Sequence, residues 1–209
     1  EQQRIPLYEA KMVHHFDHRF GSYEGQTQAQ ANKGFLPYLT PEQHADPSFL
    51  SLPQYWVDAA EVAKRLDHRW PHGWQLGWRD VCRNSDIRTT IATIIPRYGC
   101  NHKFPLALAQ GPAGLLLANF CSFVLDYTSR QKLGGSSLAF FVLKQLPLIP
   151  PSAYEAPCPW SGDQSLMSWF QPRVLELTYT AWDLTAFARD HGWDGPPFRW
   201  DEARRFLLR

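Results

Sequence analysis

The stretch 111-GPAGLLLANFCSFVLDYTSRQKLGG-135 decides how the rest of the chain has to fold. Pro112 suits the first turn of a helix, and Gly134-Gly135 is a typical stop. Between them, the residues from Leu115 to Leu125 are apolar on every side. A helix that is apolar all round is usually buried. The pattern therefore predicts one buried central helix, against which the other elements pack.

Strands are predicted on both sides of this helix. Aromatic and β-branched content indicates strands at "WQLGWRDVC" (74–82) and "RTTIATIIPRYG" (88–99), and a shorter edge strand at the proline-containing "KFPLALA" (103–109). "SSLAFFVLKQLPLIPP" (136–151) reads as a strand ended by prolines. Near the start of the chain, alternation predicts an entry strand over residues 6–19.

The remaining segments read as loop or helix. Residues 21–55 are rich in Gln, Pro, Gly and Ser and predict a long loop with one helical turn at "TPEQHA". A short helix follows, with Asp58 and Glu61 at capping-box spacing. Towards the end of the chain, helices are predicted at "DQSLMSWF" and at "PRVLELTYTAWDLTAFARDHG", with Pro172 as the break between them and Gly192 as the cap.

This order of elements predicts an α+β fold: a mixed or antiparallel sheet, a buried central helix and a C-terminal helical appendage. The expected division is a domain over residues 1–152 and a helical segment over 153–209. The chain opens on Glu1, and its last helix, capped by Asp201, stops after barely two turns. We interpret the chain as a fragment of a longer protein.

Composition excludes several classes of protein. With 44% hydrophobic and 20% charged residues, the 209-residue chain is an ordinary globular sequence. Its four cysteines are widely separated, with no CxxC pair, which favours free thiols and a cytoplasmic location. No apolar run reaches the roughly 20 residues that a membrane span needs. We therefore expect no membrane association.

The net charge of +1 conceals a basic middle. Residues 1–59 carry −3, residues 60–132 carry +5 and residues 133–209 carry −1. A basic surface of this kind suits nucleic acid, although a solvated face explains the count equally well. The basic residues on or beside the predicted central strands and helix end are Arg79, Arg83, Arg88, Arg97, Lys103, Arg130 and Lys132.

Two groups of residues invite a more specific interpretation. His14-His15-Phe16-Asp17-His18 contains common metal ligands, but a strand would place His14 and His18 on one face and His15 and Asp17 on the other. Because neither face gathers three ligands, we predict no transition metal there. Trp70, Trp74 and Trp78, at four-residue spacing, are of a type that stacks on bases, but large aromatics near strand starts favour the core.

Several stretches of the chain resemble one protein family. They are "PLYEAKMVHHFDHRFGSYEG", "PQYWVDAAEVAKRL", "WQLGWRDVCRNSDIRTTIATIIPRYGCNHKFPL", "LLLANFCSFVLDYTSRQKLGGSSLAFFVLKQLPLIPP" and "RVLELTYTAWDLTAFARDHGWDGPPFRWDEARR". In this succession they are similar to the C-terminal target-recognition region, with TaqI-like specificity domains, of bacterial adenine-specific DNA methyltransferases of restriction-modification and phage-defence systems. Residues 26–52 and 154–165 lie outside the resemblance.

The resemblance implies a DNA-reading fragment of a two-part enzyme. An upstream methyltransferase domain of the same protein would bind S-adenosylmethionine and methylate an extruded adenine, and this part would grip double-stranded DNA. The chain itself contains no Asn-Pro-Pro-Tyr type motif and no glycine-rich cofactor loop, so we expect neither catalytic residues nor a cofactor in it. In "NSDIRT", where relatives tend to have an Asn-Glu-Arg-Thr-like run, only Arg88 and Thr89 match.

On this interpretation the basic middle supplies phosphate contacts, and Lys11, His18 and Arg19 of the entry strand are either further phosphate or base contacts or partners of Asp17. Two alternatives from other classes stay open. One is a protein-protein docking module of a defence complex, with the aromatic-rich tail as its interface. The other is a metal-dependent nuclease.

Overall fold

Three small sheets and a set of mostly short helices make up the α+β architecture of residues 3–209, the part of the chain that the computed structural model describes. The strands are β1 (Arg4–Tyr8), β2 (Tyr55–Asp58), β3 (Trp74–Trp78), β4 (Ala92–Pro96), β5 (Gly99–Cys100), β6 (Pro157–Cys158) and β7 (Ser161–Ser165). The α-helices are α1 (Gln28–Asn32), α2 (Pro41–Ala45), α3 (Ala59–Leu66), α4 (Ala113–Cys121), α5 (Phe123–Lys132), α6 (Phe140–Leu143), α7 (Leu166–Thr178), α8 (Thr185–Asp190) and α9 (Glu202–Leu208).

The β3–β4 ribbon lies at the centre of the core. The two strands pair antiparallel, and all ten of their residues are buried. Trp70, Trp74 and Trp78 are all buried, which confirms the core assignment for these three residues. The Trp78 indole donates to the carbonyl of Leu138 at 2.8 Å, so its one polar group is satisfied inside the core.

A second sheet is mixed, with the strand order β2-β1-β5. β1 pairs antiparallel with β2 and parallel with β5. Asp58 ends β2 and caps α3 by accepting from the amide of Ala60, which confirms the predicted helix start, whereas the side chain of Glu61 pairs with Arg65. The predicted helical turn at "TPEQHA" is α2, which begins after a capping box formed by Thr40 and Gln43.

The predicted central helix is two helices. Ser122 leaves the helical conformation at the end of α4 and accepts from the amide of Leu125, which makes it the N-cap of α5. α4 is largely buried, whereas Phe123, Val124 and Tyr127 on α5 are exposed. The apolar run therefore predicted burial correctly for its first half only.

All the predicted strands are shorter than expected: β3 and β4 keep five residues each of the predicted 74–82 and 88–99, and the other three keep fewer or none. β1 ends at Tyr8, and the histidine run beyond it forms a turn in which the amide of His14 donates to the carbonyl of Asp17 at 2.7 Å. "KFPLALA" contributes only an isolated bridge between Leu106 and Gly77. "SSLAFFVLKQLPLIPP" contains α6 and a bridge at Ser137, because prolines and the packing of Leu143 against the core override its β-rich composition.

Pro172 does not break the helix that contains it. It lies inside α7, exposed to solvent, and the helix continues to Thr178. Residues 163–165, which were predicted to be helical, belong to β7. Gly192 does end α8, with a φ of 75° that suits glycine.

The C-terminal elements share the core of the strands. Leu175, Leu184 and Phe187 belong to the same buried cluster as Trp74 and Leu76. Buried hydrogen bonds strengthen the connection, since Arg205 donates to the carbonyl of Phe16 at 3.3 Å. Helices α7 and α8 therefore pack against the same core as the β3–β4 ribbon.

Candidate nucleic-acid interface

The loop of residues 83–88 and helix α5 lie side by side and form one continuous surface. We name it the loop–helix face. Its exposed and half-buried members are Arg83, Ile87, Arg88, Phe123, Val124, Tyr127, Arg130 and Lys132. The sequence predicted four of these eight as DNA contacts, and the fold brings those four together.

Asp126 is buried beneath this surface and connects its segments. Its carboxylate is buried and accepts from the amides of Thr89 and Thr90 at 2.7 and 2.8 Å, which joins α5 to the segment before β4. The same carboxylate lies 3.4 Å from the guanidinium groups of both Arg88 and Arg130. Asp126 therefore connects helix α5, the loop and the segment before β4 through one side chain.

Both arginines also form hydrogen bonds between the loop and the helical segment. Arg130 on α5 donates to the carbonyls of Asp86 and Ile87 at 2.7 and 3.0 Å. Arg88 in the loop donates to the carbonyl of Cys121 at 2.8 Å and lies 4.5 Å from the centre of the Phe123 ring. The loop is therefore fixed on the helix before any ligand arrives.

The face has a basic excess. Residues 83–88 and 123–132 contain four arginines or lysines against two aspartates, a balance of +2. Arg83 and Lys132 are exposed, and within residues 3–209 neither side chain forms an ion pair. They are the two cations of the face that are most available to an anionic ligand.

Four apolar side chains of the face are also exposed. Ile87 is 94% exposed, Phe123 72%, Val124 75% and Tyr127 66%. Exposed apolar residues that lie together, rather than singly, mark a surface that contacts another molecule. Phe123 and Val124 could not be distinguished from core residues in the sequence, because they continue the mostly apolar run 115–125.

Three further predicted cations lie elsewhere and are engaged within the protein. Arg79 donates to the carbonyl of Val13 at 2.8 Å, and burial lowers its pKa to about 10. Arg97 donates to the carbonyl of Trp70 at 3.1 Å, and Lys103 forms an ion pair with Asp80 at 3.0 Å.

The N-terminal candidates have structural roles. Arg19 is fully buried and donates to four backbone carbonyls, those of His44, Asp46, Phe49 and Thr180. His18 is buried against Asp183 at 2.9 Å. Neither side chain reaches the surface, so neither is available to a phosphate in this fold.

Lys11 differs from its two neighbours because it is partly exposed. Its ammonium group lies 3.5 Å from Glu9 and 4.8 Å from the ring centre of Tyr23. It stays a candidate for a peripheral contact, distinct from the loop–helix face.

The histidine run lies in a turn with unusual backbone geometry. Phe16 has a φ of 55°, a left-handed conformation that is uncommon for a residue other than glycine. His15 hydrogen-bonds to the carbonyl of Thr90 at 2.7 Å, and Asp17 hydrogen-bonds to His44 at 3.2 Å. Across residues 3–209, no group of three or more His, Cys, Asp or Glu side chains is arranged to hold a metal ion.

Comparison of the chain with protein-family models, curated proteins and solved structures returned no match. In the part of the chain that the structure describes, no helix is long and apolar enough to cross a bilayer.

Proposed function

We propose that this chain binds double-stranded DNA and is the sequence-recognition part of an adenine-specific DNA methyltransferase of the restriction-modification or phage-defence type, with a TaqI-like recognition fold. The observation that carries the proposal is the loop–helix face, which combines exposed basic and exposed apolar side chains. The cofactor S-adenosylmethionine and the catalytic residues would belong to a separate methyltransferase domain of the same protein. The family resemblance of the sequence adds independent support.

The two kinds of side chain on this face suit different parts of a duplex. Arg83 and Lys132 are free to neutralise phosphates, which fixes the position of a protein on DNA without reading its sequence. Ile87 and Tyr127 together offer apolar surface that suits thymine methyl groups or a partly unstacked base step. Arg88 and Arg130 orient the loop and add to the positive potential.

The salt dependence of duplex binding tests the phosphate contacts. Each phosphate contact contributes about −0.9 to the slope of log K against log salt. We expect Arg83→Gln and Lys132→Gln each to flatten the slope by about one unit and to weaken all duplexes alike. Lys33→Gln is a matched control, because Lys33 is an exposed lysine on a different part of the surface. Unchanged slopes in both face variants would refute the proposed contacts.

A protein-docking function is the alternative that the exposed apolar residues also favour. The variant Tyr127→Ala separates the two functions. If the face reads DNA, Tyr127→Ala costs roughly 1 to 3 kcal/mol of binding free energy, and the loss depends on the duplex sequence. If the parent chain binds no duplex in a salt-sensitive manner, the docking function replaces the DNA-binding one.

A further inference from the structure

A groove with a volume of about 500 Å³ lies on a part of the surface that the DNA-binding proposal does not use, and it shares no residue with the loop–helix face. Helix α3, the segments 98–101 and 104–108 and the side chain of Phe140 form its walls. Apolar residues such as Val62, Leu66 and Leu108 contribute much of the lining. A groove of this size and composition accommodates several side chains of a ligand.

One wall of the groove is a segment of chain that pairs with a strand on one side only. The amide of Trp78 in β3 donates to the carbonyl of Pro105 at 3.2 Å, and the amide of Ala107 donates to the carbonyl of Leu76 at 2.8 Å. Successive residues of an antiparallel pair direct their N–H and C=O groups to opposite sides. The main-chain groups of Leu106 therefore point away from β3.

The main-chain groups on this outer side have no partner in the protein. Within residues 3–209, neither the amide nor the carbonyl of Leu106 or of Leu108 forms a hydrogen bond. Residues 107–109 contain neither a bend nor a turn, so the alternation continues to Leu108. A row of unpaired main-chain groups at the edge of a sheet is a template for a further strand.

The groove follows this open edge rather than one face of the β3–β4 ribbon. Phe104 covers Gly77 so closely that a side chain added at Gly77 would collide with the Phe104 ring. Phe140 packs on Trp78, whose side chain belongs to the opposite face, with 4.8 Å between ring centres. Since Phe104 and Phe140 both line the groove, it extends around the edge at Leu106.

The charged side chains on the wall of the groove are both basic. They are Arg65 and Arg69, and no Asp or Glu within residues 3–209 lines the groove. Arg65 pairs with Glu61 at 2.5 Å, whereas Arg69 is exposed and forms no ion pair in this part of the chain. An acidic side chain is therefore the complement of the groove beside Arg69.

From this arrangement we infer that the groove binds an extended, acidic segment of another protein, which adds to the sheet as a strand beside Leu106 and Leu108. Main-chain hydrogen bonds hold the segment, and its alternate side chains determine specificity. Apolar side chains at alternate positions enter the groove, and an acidic residue at the end of the segment contacts Arg69. The inference does not depend on the loop–helix face.

Fluorescence anisotropy of the whole chain with the labelled peptide acetyl-EVTVTVE-amide tests the inferred chemistry. The peptide has valines at alternate positions and a glutamate at each end, so an acid lies near Arg69 in either strand direction. We expect saturable binding, which Arg69→Gln weakens by about twofold to fivefold. In that variant, replacing the glutamates of the peptide by glutamine should have little further effect. Arg199→Gln, at an exposed arginine outside the groove, should bind like the wild type.

Pairing through the main chain has a separate readout. A strand directs alternate amides to opposite edges, so N-methylation of the threonines and N-methylation of the valines block different edges of the peptide. One of these two peptides should bind at least about tenfold more weakly than the other. Hydrogen exchange at the amides of Leu106 and Leu108 should slow by at least about tenfold when the unmodified peptide binds. Equal binding of the two N-methylated peptides, or unchanged exchange at both amides, would overturn the added strand.

Other results would overturn the inference by assigning the groove differently. A peptide that does not bind saturably would refute it directly. If sedimentation shows a dimer, and dimer formation alone slows exchange at Leu106, the occupant is a second copy of this chain. If a duplex displaces the peptide and Arg69→Gln weakens duplex binding, the groove is part of a DNA-binding surface. Lys132→Gln should leave peptide binding unchanged, so it tests the DNA-binding proposal separately.

Discussion

Arg19 shows how a side chain that looks like a DNA contact in the sequence serves the fold instead. Its two terminal nitrogens donate to four backbone carbonyls from two segments that are far apart in the chain, residues 44–49 and Thr180. Buried carbonyls without a partner cost free energy, so one guanidinium satisfies groups that otherwise require several side chains. The residue type is common to both roles, and only the surrounding chain decides between them.

We expect Arg19→Met to lower the free energy of unfolding by about 3 kcal/mol or more, because it removes four hydrogen bonds from a charged donor and leaves their acceptors buried. Urea unfolding followed by circular dichroism measures the change. Arg199→Met is the control, since Arg199 is exposed and should lose less than about 0.5 kcal/mol. A comparable loss in both variants would show that Arg19 has no special role.

The histidine turn makes stability depend on pH. Burial, followed by the charge of Arg79, lowers the pKa of His14 to about 4, and burial lowers the pKa of His15 to about 3, against 6.5 for a free histidine. The unfolded chain therefore binds more protons than the folded one below pH 6.5. The stabilising contribution is fully present above pH 6.5 and is lost as the pH falls towards 4.

Each of these histidines should add about 1.4 kcal/mol per pH unit to the slope of stability between pH 6 and 4.5. We expect His14→Gln to reduce that slope by up to this amount, measured as the free energy of unfolding at several pH values. His102→Gln serves as the control because His102 is exposed. A slope that is identical in the wild type and in His14→Gln would contradict the assignment.

At the scale of the elements, Pro172 is the clearest case of a sequence rule overridden by packing. The residue lies in the middle of α7, where it removes a backbone donor and crowds the preceding turn. Val174, Leu175 and Leu177 follow it and are buried in the core, so their burial favours continuation of the helix. Propensity predicted a break here because it does not include that burial.

Since Pro172 is exposed, its replacement should relieve the helix without leaving a cavity. We expect Pro172→Ala to raise the free energy of unfolding by about 1 to 2 kcal/mol. Alanine stabilises the folded helix, and part of that gain is offset because the unfolded chain has more conformational entropy with alanine than with proline. Thermal and urea unfolding measure it. Gln171→Ala, at the neighbouring position, should stay within about 0.5 kcal/mol of the wild type. A destabilised Pro172→Ala would mean that the proline ring itself contributes to packing.

The elements that the sequence predicted well are those with local causes. Strands β3 and β4 follow from β-branched and aromatic content, and the start of α3 follows from its Asp58 cap. The end of α4 was not predictable from apolar content, since Ser122 is a helix residue or a cap depending on what packs beyond it. The cations of the loop–helix face could be identified by residue type alone. Whether Ile87 and Tyr127 face the core or the solvent depends on what packs beyond them, so the sequence did not identify them as part of the face.

At the scale of the whole molecule, the predicted appendage and the strands form one core. Phe187 packs edge to face on Trp74, with ring centres 5.2 Å apart. Such long-range contacts have no signal in a single sequence, so helices at the end of the chain read as an addition to the fold. The stacking of His44 on Trp200, with 3.9 Å between ring centres, could not be predicted for the same reason.

We therefore expect a chain shortened to residues 1–152 to be unable to fold, since it loses the buried side chains of α7 and α8. Circular dichroism and amide proton dispersion in nuclear magnetic resonance spectra report on this. The full chain should unfold in a single cooperative transition by both probes. A folded 1–152 fragment, or two separate transitions, would support the division into a domain over residues 1–152 and a separate helical segment.

The bond from Arg205 to the carbonyl of Phe16 has a consequence for biosynthesis. The two residues are 189 positions apart in the chain. Strand β1 likewise cannot form its parallel pair before β5 is present. Contacts of such separation form late, after the cost of closing a long loop has been met. As the nascent polypeptide leaves the ribosome, the histidine turn stays unfinished until the segment around residue 205 has emerged.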